Sequence, residues 1–162
     1  MNGPCLITGA TGLLGSEFAS VLRGHDTHAL AKAELDVTSQ DSVQKTFKTV
    51  RPKLVIHTAA YTQVDGAEEN REHARRLNAE SVKYLVEASR EYSAKLVHFS
   101  TDQALFDGNK KGPYVETDMP NPSNYYAETK LESESYAEEL DDSLILRVQW
   151  LYGSARPRFT HL

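Results

Sequence analysis

Tyr126 and Lys130 stand four residues apart in Tyr126-Ala-Glu-Thr-Lys130, so on a helix the phenol and the ammonium share one face, one turn apart. A phenol able to release its proton near neutral pH suits the reduction of a ketone, where hydride arrives at carbon and a proton at oxygen. An unperturbed tyrosine at ~10 is too weak for that. A cation about 5 Å away, at an effective dielectric of about 20, contributes roughly 3 kcal/mol or about two pKa units. Lys130 is placed to be that cation. Such a pair also occurs on inert surface helices, so its neighbours must decide. Ser100-Thr101-Asp102 closes an apolar run and offers a hydroxyl that could hold a substrate carbonyl beside the acid. Thr101 is preferred for that role and Ser100 is the alternative, against a plain reading in which Thr101 only caps a strand end.

A second group of residues suits a phosphate. Thr8-Gly9-Ala10-Thr11-Gly12-Leu13-Leu14-Gly15 follows the apolar run Cys5 to Thr8 and opens a helical pattern. Strand, glycine loop and helix in that order let backbone N–H groups approach a pyrophosphate, with the positive end of the helix behind them. A dinucleotide is the expected ligand. An acid at the end of the second strand would mark NAD, but Leu30-Ala31-Lys32 stands there and Lys32 would suit a 2′-phosphate. Glu34 and Asp36 follow closely, so NADP(H) is only slightly preferred over NAD(H), with Asp36-Val37 laid against the adenine.

These residues need a frame. Short β-rich apolar runs at Cys5 to Thr8, Thr27 to Ala31, Leu54 to Thr58, Leu96 to Ser100 and Leu144 to Val148 alternate with helical patterns. Runs such as LVIHT and LILRV lack polar alternation, as strands covered on both faces do. Leu14, Phe18 and Val21 mark one amphipathic helix. Val43, Phe47 and Val50 mark a second, behind a Thr38-x-x-Asp41 capping signature. A third, the longest, runs through Ala74, Leu77, Ser81, Leu85, Ala88 and Tyr92, with a charged outer face read as solvated. Residues Asp102 to Asn124 carry Gly108, Gly112, Pro113, Pro120 and Pro122 without a period, which predicts a long functional loop before a helix starting near Tyr125. The expected fold is α/β: a Rossmann-like doubly wound parallel sheet with helices on both faces, its ligands beyond the carboxyl ends of the strands.

Composition narrows the partners. The 162 residues are 40% hydrophobic and 25% charged, which predicts one domain with a core that needs no staple. One cysteine and six scattered histidines offer no zinc spacing, so no metal is expected. A formal net charge of -5 argues against a nucleic acid. No apolar run has membrane length, and no signal-peptide pattern opens the chain. A cytoplasmic protein with a small-molecule partner is expected.

The strings TGATGLLG, LDVTSQDSV, RPKLVIHTAAYTQVD, Asn78-Ala79, LVHFSTD, FDG, PYVETDMPNPSNYYAETKLESE and LILRVQWLYG resemble, in order and spacing, the extended short-chain dehydrogenase/reductase superfamily, and within it the dTDP-4-dehydrorhamnose reductases. The resemblance implies hydride transfer from NAD(P)H to the 4-keto group of a nucleotide-linked deoxysugar. It maps the acid onto Tyr126, its partner and a cofactor contact onto Lys130, and the carbonyl-binding hydroxyl onto Thr101. Gly9, Thr11, Gly12, Leu13 and Leu14 would hold the cofactor phosphates, Asp36 and Val37 the adenosine, and Ala59, Ala60 and Tyr61 the wall beside it. Thr62, Asp65 and Trp150 look like substrate-side positions, with Trp150 as core the equal alternative.

Two features depart from the family. Gln103-Ala104-Leu105-Phe106 is one residue longer than the usual segment there and lacks its aromatic, which puts the link between Thr101 and Tyr126 in question. Family members also run on well past Ser154-Ala-Arg-Pro-Arg-Phe-Thr-His-Leu162 into a substrate lobe, so this chain reads as residues 1–162 of an NAD(P)-binding domain without that lobe. The expected function is accordingly a reductase or its cofactor half. The alternatives are a non-catalytic dinucleotide-binding regulatory subunit, resembling the methionine adenosyltransferase β-subunit family, and a decayed fragment. An incompletely covered last strand is expected to favour self-association.

Overall fold

The computed structural model describes residues 3–153. Five strands, β1 (Cys5–Thr8), β2 (Thr27–Leu30), β3 (Leu54–His57), β4 (Lys95–Thr101) and β5 (Ser143–Val148), form one sheet in the order β2-β1-β3-β4-β5. Every pairing is parallel. The expected doubly wound α/β fold is therefore present, and its topological switch falls between β1 and β3, where such sheets open a crevice.

Alternate residues of the central strands feed two cores. Leu6, Val55 and Leu96 face Val43 and Phe47 of helix α2 (Gln40–Val50) and Val82, Leu85 and Val86 of helix α5 (Ser81–Tyr92). Cys5, Ile7 and Ile56 face Phe18 of helix α1 (Leu13–Val21). Burial raises the Cys5 thiol to about 11, which makes it an inert packing residue. Helix α6 (Tyr125–Glu138) follows the long loop and packs along β4.

Several local expectations are corrected. The cap of α2 is Ser39, whose hydroxyl accepts from the Ser42 N–H, while Thr38 gives its hydroxyl to Asp36 at 2.7 Å. The third helix is not continuous. It runs as α3 (Val64–Glu69), α4 (Arg71–Arg75), a π-helical turn over Arg76–Glu80 and then α5. Asn70 leaves the helical region at φ -117 and ψ 48, and the wider turn buries Asn78 and Ala79 side by side. Val21, expected on the inner face, is 75% exposed because α1 ends there. Leu144 is 52% exposed, since among the described residues β5 pairs only with β4 and forms an edge. The tail from Ser154 onward lies outside the described residues.

The loop from Asp102 to Asn124 is ordered around one carboxylate. Asp107 accepts from the Tyr114 hydroxyl at 2.6 Å, Asn121 Nδ2 at 2.9 Å and the Asn109 backbone at 2.9 Å. These donors hold its pKa well below the usual carboxylate range. The longer Gln103 to Phe106 segment is absorbed by a 3₁₀ turn over Asp102–Ala104, capped by the Thr101 hydroxyl and tied to Asn124 through Gln103.

Candidate active site

Two clefts meet at the glycine loop. The first is lined by Gly9, Thr11 and Gly12 after β1, by Lys32, Leu35, Asp36, Val37 and Thr38 beyond β2, and by Thr58, Ala59 and Ala60 after β3. His73 and Leu77 close it from the broken helix. It gathers Gly9, Thr11, Gly12, Asp36, Val37, Ala59 and Ala60 as expected, and Lys32 with them. Leu14 lies within α1, and Tyr61 stands outside this lining with its ring edge against His73.

The glycines fit a phosphate cradle for distinct reasons. Gly9 sits at φ +68, and a Cβ there would stand 2.7 Å from the Ala59 nitrogen. A Cβ on Gly15 would stand 2.3 Å from the Gly9 oxygen. Gly9 thus lets the loop lie against the segment after β3, and Gly15 lets α1 pack closely on the loop. Gly12 has φ -74 as the cap of α1, and a Cβ there would meet only the Gly9 oxygen at 3.2 Å. Its side of the backbone belongs to the cleft. Asp36 is held low in pKa chiefly by the Thr38 hydroxyl, with Lys32 and Arg76 as nearby positive charges. A cleft with a glycine loop at one end and Lys32 and Arg76 near the other suits an elongated anionic nucleotide.

The second cleft is lined by Leu13, Thr62, Val64, Ser100, Thr101, Asp102, Gln103, Tyr126 and the segment from Val148 to Tyr152. Thr101, Tyr126, Thr62 and Trp150 are brought together here, and Leu13 joins them from the glycine loop. Asp65 lies apart, exposed in the first turn of α3. Trp150 is 60% exposed at φ +49, so it walls the cleft, and the core alternative is wrong.

Local sequence places the acid candidates. Asn124 caps α6 by accepting from the Ala127 N–H at 2.8 Å, which starts the helix so that Tyr126 lies in its first turn. The Thr101 hydroxyl lines the same cleft as the Tyr126 phenol and gives its proton to Asp102 at 3.2 Å. The Ser100 hydroxyl is given to the buried Glu134. Burial raises the phenol's pKa, the nearby Thr101 hydroxyl lowers it and the charge of Asp102 raises it, with a net rise. The expected depression by Lys130 is not what governs this group. Lys130 lies one turn deeper, 3% exposed, and burial brings its ammonium down to about 8 while Glu134 acts upward.

Beneath Lys130 lies a polar layer that sequence reasoning missed. His57 and His98 are register partners on β3 and β4, with ring centroids 5.6 Å apart and planes inclined by 17°. His57 Nδ1 meets the Thr8 hydroxyl at 2.7 Å, and His98 Nε2 meets the Ser133 hydroxyl at 2.8 Å. Because Ser133 gives its proton to the Lys130 carbonyl, His98 Nε2 must be the donor, which fixes its tautomer. Burial, aided by the Lys130 charge, pushes His57 down to about 3 and His98 well below its ordinary value. Both rings are neutral. Asn78, which the sequence marks only as part of a motif, grips both backbone groups of Tyr61 and the Thr129 hydroxyl. The π turn that carries it has no periodic signature, although such turns cluster at functional sites. Among the described residues no cluster of His, Cys, Asp and Glu could hold a metal ion, and no helix is long and apolar enough to cross a membrane.

Parallel topology, a crevice at the sheet's switch point and a glycine loop entering it define a Rossmann-type α/β domain. Residues 3–162 match the RmlD substrate binding domain, and the chain belongs to that family. It is 40% identical over 152 residues to a dTDP-4-dehydrorhamnose reductase of Aggregatibacter actinomycetemcomitans, covering 91% of this chain and 51% of that protein. The reductase of the same name from Escherichia coli K12 is 35% identical, with 95% of this chain and 53% of that protein covered. A solved structure of the Bacillus anthracis dTDP-4-dehydrorhamnose reductase in complex with NADP superposes with a TM-score of 0.93 at 36% identity, covering 98% of this chain and 57% of that one. The chain thus spans about half the length of the curated relatives it matches.

Proposed function

We propose that residues 1–162 are an NAD(P)-binding domain that supplies the cofactor site and the proton-transfer residues of a dTDP-4-keto-deoxysugar reductase working in the cytoplasm. The observation that carries this reading is the placing of Thr101 and Tyr126 in one cleft with Leu13, the residue after the glycine loop, one helical turn from buried Lys130. Gly9, Thr11, Gly12, Leu13 and Leu14 would hold the pyrophosphate, Asp36 and Val37 the adenosine, and Ala59, Ala60 and Tyr61 the adjoining wall. A bound reduced nicotinamide supplies the hydride.

This chain's own residues handle the proton. Tyr126 is protonated at neutral pH and so has a proton to give, but burial leaves it a weaker acid than a free phenol, so the lowering that the reaction asks for would have to come from Thr101 and Lys130 with cofactor and substrate in place. Thr101 would orient the carbonyl oxygen, then stabilise the phenolate left after transfer. Lys130, still mostly charged at pH 7 with a pKa near 8, favours that phenolate and would hold the cofactor ribose. Thr62, Asp65 and Trp150 would meet the sugar, while the family's sugar-nucleotide lobe falls outside residues 1–162. Lys32 supports a slight preference for NADP(H) over NAD(H). An acid-capable trio has no use in a regulatory subunit, which disfavours that reading.

Titration of the 162-residue chain with NADPH and NADH, followed by calorimetry, tests the proposal. Saturable binding is expected for at least one of them. No binding by either at millimolar concentration would remove the cofactor site, and with it the reductase.

A further inference from the structure

The buried layer under the acid contains one carboxylate with an unusual set of partners. Glu134 lies one turn beyond Lys130 on the same face of α6 and is 2% exposed. Its Oε1 takes the Ser100 hydroxyl from β4. Arg147 of β5 clasps it with Nε at 3.0 Å from Oε1 and Nη2 at 2.6 Å from Oε2. The carboxylate is thus shared among α6, β4 and the edge strand.

Among the described residues Lys130 has little other negative charge to draw on. From β3 it faces His57, from β4 His98, both neutral, and from its own helix Glu134. The remaining elements meet α6 elsewhere: α4 through Arg75 and Glu132, the π turn through Asn78 and Thr129, α3 through Glu68 and the Tyr125 N–H, α5 through Arg90 and the Glu139 carbonyl, and the 3₁₀ turn through Gln103 and Asn124. Asp102, in that turn, acts on Tyr126. Arg147 is in turn influenced by Glu138 and Glu116. An ammonium removed from water needs a counter-charge to stay protonated.

We propose that Glu134 is the positioning residue that keeps Lys130 charged, and that Arg147 of β5 sets how much of this negative charge Lys130 receives. The proposal rests on the reading of Lys130 as the cation of the acid pair. It predicts opposite responses to removal of the two partners. Glu134→Gln takes away the counter-charge, whereas Arg147→Met removes a competing cation and leaves the carboxylate to Lys130.

The test follows the Lys130 side chain by NMR in the 162-residue chain with ¹³Cε-labelled lysine, its signal assigned by loss in Lys130→Arg. The wild-type midpoint is expected near 8, falling by about one unit in Glu134→Gln and rising by a similar amount in Arg147→Met. Glu134→Asp should return it most of the way. If either single variant fails to fold, as half of a broken buried ion pair often does, Glu134→Gln combined with Arg147→Met removes both charges together, and the two opposite shifts should then offset to leave the midpoint near its wild-type value, whereas a double-variant shift as large as the full unit would overturn the division of charge between Lys130 and Arg147. An unmoved midpoint in Glu134→Gln alone, or a shift of the same sign in Arg147→Met, would overturn the proposal. Because the readout is a titration and not turnover, a normal charge response together with an active Tyr126→Phe enzyme would instead locate the failure in the reductase reading.

Discussion

On the β1 side of the sheet the cleft is made of backbone and small residues: Gly9, Gly12, Ala59 and Ala60, with charge confined to the rim at Lys32 and Asp36. On the β4 side it is underlain by buried polar side chains: His57, His98, Ser100, Lys130, Ser133 and Glu134 are each no more than 4% exposed. The contrast fits the two roles proposed above for the two sides. Binding a pyrophosphate requires close approach of N–H groups, which bulky side chains would obstruct. Holding a proton on a chosen atom requires buried charge and oriented hydrogen bonds, because water would otherwise level the pKa values.

The largest expected effect belongs to the β4 side. If Tyr126 is the acid proposed above, Tyr126→Phe takes away the transferable proton but keeps the ring, so in a reductase assay with the sugar-nucleotide lobe present kcat should fall about 10²–10⁴-fold with cofactor Kd nearly unchanged. Near-normal kcat would reduce this half of the molecule to a scaffold and erase the distinction. Stopped-flow turnover together with a cofactor titration separates the outcomes.

The β1 side should break differently. Gly12→Val points its side chain into the cleft, with only one backbone contact to adjust at 3.2 Å, so cofactor binding should fall by about 100-fold or more while the urea midpoint moves little. Gly15→Ala should do the reverse. Its Cβ would stand 2.3 Å from the Gly9 oxygen, and overpacking of that kind costs about 1–3 kcal/mol of stability. Calorimetry and urea denaturation on both variants would show whether the two glycines divide their roles this way. Equal loss of stability in both would mean that the loop is a packing motif alone.

The same contrast explains what the sequence made readable. A backbone-built site leaves its glycines in a fixed order after a strand, so the phosphate loop and its crevice could be inferred from spacing. The β4 layer leaves no such trace. His57 and His98 sit inside apolar runs, LVIHT and LVHFS, and their meeting depends on which strands become neighbours. The π turn passed unnoticed because its extra residue hardly disturbs the apolar rhythm on either side, although it is what turns Asn78 inward. Trp150 could not be assigned between core and cleft because one large aromatic satisfies both patterns, and only its backbone conformation and exposure decide.

Acid should expose the buried layer without touching the glycine side. His57 and His98 have folded pKa values below the ordinary 6.5, so the unfolded chain binds more protons than the folded one once the pH drops below 6.5. Stability is fully present above that value and declines from there toward about 3, by at most about 1.4 kcal/mol per pH unit for each histidine. Between pH 7 and 5 most carboxylates remain ionised, so urea midpoints in this window report the histidines. A decline is expected in the wild type and a shallower one in His98→Gln. A flat profile in the wild type would mean that the rings reach water and that the β4 layer is not dry.

The smallest effect concerns the rim, where the β1 side does use charge. Lys32 is exposed and lines the cleft beside Asp36, whose carboxylate also feels Arg76. A 2′-phosphate entering here would be drawn by both cations and repelled by Asp36, whereas a 2′-hydroxyl could hydrogen-bond Asp36. An exposed ion pair is weak and screened by salt, so Lys32→Ala should weaken NADPH binding by only about five-fold and leave NADH unchanged. The loss should shrink further in 0.5 M salt, at which the Debye length is under about 5 Å. Asp36→Asn should move the other way, improving NADPH relative to NADH. Parallel titrations of the two cofactors at low and high salt measure this directly. If Lys32→Ala weakened both cofactors equally, its ammonium would be serving the pyrophosphate or the fold, and the preference for a 2′-phosphate would have to come from Arg76 or not exist.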